Sequence, residues 1–212
     1  MILYDYCRSS AAYRVRIALN LKTFSYQHQS VNLLKSSHTD DEHAQRNSQK
    51  LVPVLSDQGV EISQSMAICE YLDEAYPDTH PLVTGSPVER AKIRAFAQAI
   101  ACEIHPVNNL RVLKYLVSEL NADEAQKLAW YQHWVNTTFT ALEAQLAAKE
   151  QTSTFCFGEQ PTLADVCLIP QVFNAKRFNV DMSAYPLISQ IDEACQQLKA
   201  FSDAHPAVQP DA

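Results

Sequence analysis

The stretch Tyr4-Asp5-Tyr6-Cys7-Arg8-Ser9-Ser10-Ala11-Ala12-Tyr13-Arg14-Val15-Arg16-Ile17-Ala18-Leu19 leads from a short apolar strand through two serines into a helix. Met1 to Tyr4 is apolar and suits a β-strand, while Val15, Ile17, Ala18, Leu19 and Leu21 give the following segment a face for packing. Ser9 and Ser10 fall where the backbone must turn, so the helix begins there. The first turn of a helix leaves N–H donors without intrahelical partners and carries the positive end of the macrodipole. A negative charge placed there gains roughly 0.3–2 kcal/mol. Two readings of the serines stand side by side: ordinary N-caps, or groups offered to a bound anion.

Outward from this stretch, Tyr26–Val31 reads as a second strand, parallel to the first through the helical crossover, which makes a β-α-β unit. Thr39 to Arg46 is polar and reads as a short helix. Val52-Pro53-Val54-Leu55 and Val60-Glu61-Ile62 form a hairpin around Asp57-Gln58-Gly59. Pro53 cannot donate a ladder hydrogen bond, so it marks an edge or a special backbone conformation. Ile68, Tyr71, Leu72 and Ala75 recur at helical spacing, which predicts an amphipathic helix over Ser65–Tyr76 that Pro77 ends.

Prolines, Gly85 and polar residues then crowd 77–87, which is linker chemistry. An α/β domain over residues 1–80 and an all-α domain over 87–212 are expected. The second domain opens with Ser86-Pro87-Val88-Glu89, a cap, a proline at the first helical position and an acid at capping-box distance. Its helix carries Ile93, Phe96, Ala97, Ile100, Ile104 and Val107 on one face, and Pro106 should bend it. A later helix starts at Asn121–Glu124 and continues to Leu146, with Trp130 and Trp134 read as core. Thr162-Leu163-Ala164-Asp165 has capping-box spacing before an apolar run, so Asp165 reads as structural and the helix as buried. His205–Ala212 is proline-rich and polar, and reads as loosely packed and without chemistry.

Bulk properties narrow the function. A formal net charge of -7 and a pI near 5.4 argue against nucleic acid as the main partner. The six cysteines form no C-x-x-C pair and several lie in apolar helical runs, which suits a reducing compartment, and the reading is cytosolic. No apolar run approaches the roughly 18 residues of a membrane span. With glycine only at 59, 85 and 158, neither a dinucleotide-binding turn nor a P-loop can be built, and the seven histidines show no metal-ligand spacing, so no metal is expected.

Arg8-Ser9-Ser10, an aromatic at Tyr13 and Arg14-Val15-Arg16-Ile17-Ala18-Leu19 together resemble the N-terminal signature of zeta-class glutathione transferases, the class that includes the maleylacetoacetate isomerases. Val52-Pro53, Gln64-Ser65, Asn109-Leu110 and Thr162-Leu163-Ala164-Asp165 continue the resemblance through nearly the whole chain. Two positions depart from the family: Ala11 stands where cysteine is usual, and Tyr13 where tryptophan is usual.

The resemblance implies a thioredoxin-like N-terminal domain with a cis bond before Pro53, a helical C-terminal domain, glutathione as cofactor and a homodimer. It gives Ser9 the sulfur of glutathione, with Ser10 assisting, and Ala11 places more weight on these two. It has the Val52 backbone pair with the cysteinyl unit, and Gln64 and Ser65 hold the γ-glutamyl carboxylate, although Ser65 also reads as an N-cap. His38 lies in the segment that contacts the glycyl end in relatives. His105 and Asn109 lie on the bent helix facing the site, where helical spacing of four puts them on one side.

Arg8, Arg111 and Arg177 would read the carboxylates of a small diacid, each with a solvated surface charge as its alternative. Arg14 and Arg16 read as support for the fold or for a subunit contact. The implied reaction is the glutathione-dependent cis–trans isomerisation of maleylacetoacetate in tyrosine and phenylalanine catabolism. Maleylpyruvate isomerisation, glutathione conjugation or dehalogenation of small haloacids, and a non-catalytic binding module are the alternatives.

Overall fold

The computed structural model describes residues 1–33, 37–149 and 153–212. The chain divides into two compact units, Met1–Leu82 together with Gln196–Ala212, and Val83–Cys195.

The first unit is built on a four-stranded sheet in the order β2-β1-β3-β4, formed by β1 (Ile2–Asp5), β2 (Gln27–Ser30), β3 (Val54–Asp57) and β4 (Val60–Ser63). β1 and β2 are parallel through α1 (Ser10–Leu21), as the crossover requires, and β3 and β4 form the antiparallel hairpin expected around Asp57-Gln58-Gly59. α2 (Asp41–Arg46) is short, and α3 (Ser65–Ala75) buries Ile68, Cys69 and Leu72. α1 and α3 pack on one another over fully buried Leu3, Val15, Leu19, Leu55 and Ile68.

The register fixes what meets at one end of the sheet. Tyr4 lies opposite Val54, and Val54 opposite Ser63. The chain leaving β1 toward Ser9, the Val52-Pro53 pair entering β3 and the Gln64-Ser65 pair leaving β4 therefore come to the same end. The Val52–Pro53 bond is cis.

The end of the chain differs from its expected loose packing. α9 (Lys199–Ser202) packs on α1, Arg16 Nε donates to Ala204 O at 2.9 Å, and the ring of His205 meets Tyr13 edge-on with centroids 6.1 Å apart. Asp211 Oδ2 accepts from Cys7 N at 3.1 Å and from Ser30 Oγ at 2.9 Å. Polar residues look unattached in a local reading because their partners lie about two hundred positions away in sequence.

The second unit is helical: α4 (Pro87–Gln98), a π-helical turn over Ala99–Ile104, α5 (Leu110–Ser118), α6 (Glu124–Ala147), α7 (Leu163–Arg177) and α8 (Pro186–Gln196), which runs to the unit's boundary. α4 starts on the expected capping box, with Glu89 Oε2 accepting from Ser86 N at 2.7 Å. α7 is buried continuously from Leu163 to Val172.

Two expectations are corrected here. The helix from Ser86 is not simply bent at Pro106. It widens into the π turn, where His105 N reaches Ile100 O at 3.0 Å, and then stops, because a proline ring clashes with the carbonyl four residues back in a continuing α-helix. Trp130 and Trp134 are only half-buried; the core face of α6 is Tyr131, Val135, Phe139, Leu142 and Leu146. Trp130 instead spends its polar edge on Val107 O, donating from Nε1 at 3.0 Å.

Candidate active site

In the first unit, Ser9 is the N-cap of α1. Its backbone N–H donates to Tyr6 O at 2.8 Å, closing the turn out of β1, and its Oγ accepts from Ala12 N at 3.2 Å. The two readings of this serine are compatible at one atom, since accepting from Ala12 leaves the hydroxyl hydrogen able to donate elsewhere. Ser9 is partly exposed, whereas Ser10 and Ala11 are buried as the first residues of the helix proper. No acidic side chain occupies the first turn of α1. Arg8, just ahead of it, is exposed.

The turn is held from behind by a buried cluster. Arg16 Nη1 pairs with Asp5 Oδ2 at 2.8 Å, and Arg16 Nη2 donates to Cys7 O at 2.9 Å. His28 Nε2 is hydrogen-bonded to the other Asp5 oxygen, which raises the imidazole's pKa, and Asp211 lies 3.7 Å from it. Asp5, His28 and Asp211 bring three ligand-type atoms within 4.8 Å of one another. Both Asp5 oxygens are already committed to Arg16 and His28, so the chemistry of the group is that of an ion-pair network. Burial and the Asp211 carboxylate push the Cys7 thiol up, so Cys7 is no competing nucleophile beside the serines.

At the start of α3 the N-cap is Gln64, not Ser65, which corrects the reading of Ser65 as a cap. Gln64 has φ 71°, a left-handed value unusual for a side-chain-bearing residue. Its side chain does not cap the helix; Nε2 donates to Gln49 Oε1 at 2.7 Å. Ser65 is buried and its Oγ accepts from Arg14 Nη1 at 3.3 Å. As at α1, no acid stands in the first turn. Val52 is half-buried beside Pro53, and His38 sits in a 3-10 turn over Ser37–Thr39. Ser9, Ser10, Val52, Gln64 and Ser65 thus share one end of the sheet, lined by two helix N-termini without acids. That arrangement suits a ligand carrying a thiolate and a carboxylate. Gln49 and Arg14, which hold Gln64 and Ser65, were not singled out as site residues from sequence because only tertiary contact reveals them.

In the second unit, His105 and Asn109 do not share one helix face. His105 closes the π turn and Asn109 is the N-cap of α5, its Oδ1 accepting from Arg111 N at 3.1 Å, because the chain breaks at Pro106 between them. Arg111 is exposed on the first turn of α5, and Arg177 is exposed as the last residue of α7, 5.5 Å from the Phe178 ring centroid. α6 holds both neighbourhoods. Asn108 Nδ2 donates to Tyr131 O at 3.1 Å, the Tyr131 ring stacks on Phe178 at 3.7 Å, and Gln132 Nε2 donates to Phe178 O at 2.9 Å. Burial pushes the Tyr131 hydroxyl up to about 12, so it stays protonated. Asp165 is wholly buried and accepts from Cys156 N at 2.8 Å and Thr162 N at 2.7 Å, the structural part expected of it.

Residues 1–74 match the glutathione S-transferase N-terminal domain and residues 129–209 the C-terminal domain. The chain is 45% identical over 215 residues to a probable maleylacetoacetate isomerase of Vibrio cholerae, covering all of this chain and 98% of the relative. It is similar to the holo structure of a maleylpyruvate isomerase described as a bacterial zeta-class glutathione S-transferase, with TM-score 0.98, 45% identity and full coverage of both chains. It is also similar to a maleylacetoacetate isomerase of Methylobacterium extorquens solved with bound malonate and glutathione, with TM-score 0.95 and 35% identity over all of this chain and 99% of that one. The chain belongs to the glutathione S-transferase family, in its zeta class.

Proposed function

We propose that the protein is a glutathione-dependent cis–trans isomerase that converts maleylacetoacetate to fumarylacetoacetate, a step of tyrosine and phenylalanine catabolism. The observation that carries this reading is the acid-free start of α1 with Ser9 at its cap, its hydroxyl hydrogen still available, within a chain 45% identical to a probable maleylacetoacetate isomerase over its full length. Bound glutathione supplies a thiolate that adds to the conjugated double bond, permits rotation and leaves again, so it is not consumed.

A free thiol has a pKa of roughly 8.5, and lowering it by about two units takes about 2.7 kcal/mol. Ser9 Oγ–H and the α1 dipole supply hydrogen bonds and charge of that order to a sulfur anion. Gln64 and Ser65 hold the γ-glutamyl carboxylate, the Val52 backbone holds the cysteinyl unit, and His38 serves the glycyl end. His105 and Asn109 are assigned to glutathione as well, and Arg8, Arg111 and Arg177 to the carboxylates of the diacid. Orientation by both carboxylates supplies the proximity term. The malonate and glutathione bound together in the Methylobacterium extorquens relative support a dicarboxylate beside the tripeptide.

Maleylpyruvate is the second reading, favoured by the TM-score of 0.98 to a maleylpyruvate isomerase. The protein works as a homodimer in the cytoplasm in this reading, and no helix among the described residues is long and apolar enough to cross a membrane. The test is a spectrophotometric cis-to-trans assay on maleylacetone and maleylpyruvate with and without catalytic glutathione. Turnover that requires glutathione and conserves total thiol is expected, the faster substrate naming the activity; turnover unchanged without glutathione, or thiol consumed with a haloacid instead, would overturn it.

A further inference from the structure

α1 buries two arginines two positions apart and treats them differently. Arg16, fully buried, sends Nε, Nη1 and Nη2 to Ala204 O, Asp5 Oδ2 and Cys7 O, one partner for each nitrogen. Arg14 is only 2% exposed, yet among the described residues its one hydrogen bond runs from Nη1 to Ser65 Oγ at 3.3 Å, while Nε and Nη2 have no hydrogen-bond partner. A guanidinium is a permanent cation, and leaving one buried with most of its donors unmet is a standing penalty that folding alone does not explain.

The one bond it makes points to the reason. A serine hydroxyl that accepts from a cation has its own O–H turned away to donate, so Arg14 commits Ser65 to binding an acceptor. Ser65 opens α3, an eleven-residue helix whose first turn contains no acid and whose N-cap side chain is drawn off to Gln49. The positive end of that helix, a donor-committed hydroxyl and an unneutralised buried cation therefore coincide. We propose that Arg14 is a positioning residue and the buried counter-charge for a carboxylate bound at the start of α3. Resting on the glutathione reading above, that carboxylate is the α-carboxylate of the γ-glutamyl unit. Arg14 does not touch it; it orients Ser65 and supplies the field, so the cation that burial leaves unpaired is neutralised when the tripeptide binds.

The test compares binding of glutathione and of 4-aminobutanoyl-Cys-Gly, the same tripeptide without that carboxylate, by calorimetry on wild type, Arg14→Met and Arg14→Lys. Wild type should prefer glutathione. Arg14→Met should cut that preference roughly tenfold by weakening glutathione while leaving the analogue within about twofold, with Arg14→Lys intermediate. The thermal midpoint of ligand-free Arg14→Met should equal or exceed that of wild type, because an unpaired buried charge has been removed. Equal weakening of both tripeptides, or a lowered ligand-free midpoint with the preference intact, would make Arg14 a packing residue and overturn the proposal. If wild type binds both tripeptides equally, the glutathione reading stands and the Arg14 assignment falls; if it binds neither, both fall. Should Arg14→Met fail to fold, Arg14→Lys in a Ser65→Ala background decides. Loss of the lysine effect when Ser65 is gone is expected, and simple additivity contradicts the coupling.

Discussion

The starts of α1 and α7 look alike in sequence, each a hydroxyl residue before an apolar helix, but they are chemically opposite. At α7 the protein fills the helix start with its own carboxylate: Asp165 is buried and accepts from Thr162 N, Thr162 Oγ1 and Cys156 N. At α1 Ser9 caps a single N–H and no acid follows in the first turn. A helix start closed by its own acid serves folding. One left without an acid, with its serine partly exposed, leaves its positive end able to receive an anion. The same contrast holds between α4, closed by Glu89, and α3, where the cap side chain is directed elsewhere.

The contrast breaks most visibly at Asp165. Asp165→Ala strands two buried backbone donors, and a loss of about 3–5 kcal/mol is expected in urea denaturation, with the KM for glutathione of the folded fraction unchanged. A large KM change at preserved stability would mean that the α7 start is not a closed structural cap. Ser9→Ala should do the reverse. It forfeits a cap worth about 1 kcal/mol, but kcat should fall about ten- to hundredfold as the donor to sulfur is lost.

The smallest effect lies behind the α1 turn. The Asp5 hydrogen bond raises the His28 pKa in the folded state, with burial opposing it in part. The stabilisation from that bond is complete below the unfolded value of roughly 6.5 and is lost as pH rises through the raised one. Urea midpoints compared at about pH 6 and about pH 9 should fall toward the higher pH, and His28→Gln should flatten the slope. An unchanged slope in the variant would place the pH dependence elsewhere.

Where a feature is local, the sequence carries it. The β-α-β unit, the hairpin at Gly59, the capping boxes at Ser86 and Thr162 and the buried run after Asp165 all follow from spacing and turn chemistry. The serine pair and Gln64-Ser65 are equally visible, and strand register alone brings them to one end of the sheet. What stayed hidden depends on distant partners. Asp211 acts on Cys7 across 204 positions, Gln49 takes the Gln64 side chain, and Arg14 reaches Ser65 from another helix. The π turn before Pro106 escaped for a different reason: the proline announces a disturbance of the helix, but whether the chain bends or widens and stops is decided by packing. The half-burial of Trp130 and Trp134 shows the same limit, since Tyr131 one position on takes the core side.

The most direct measurement is the pH titration of the thiolate ultraviolet band of glutathione bound to wild type and to Ser9→Ala. With wild type the band should appear well below the free thiol's range, by about two units, and Ser9→Ala should return most of that shift. Bound glutathione that titrates like the free tripeptide, or a lowered value that survives Ser9→Ala unchanged, would contradict the assignment of the α1 start as the site that activates sulfur.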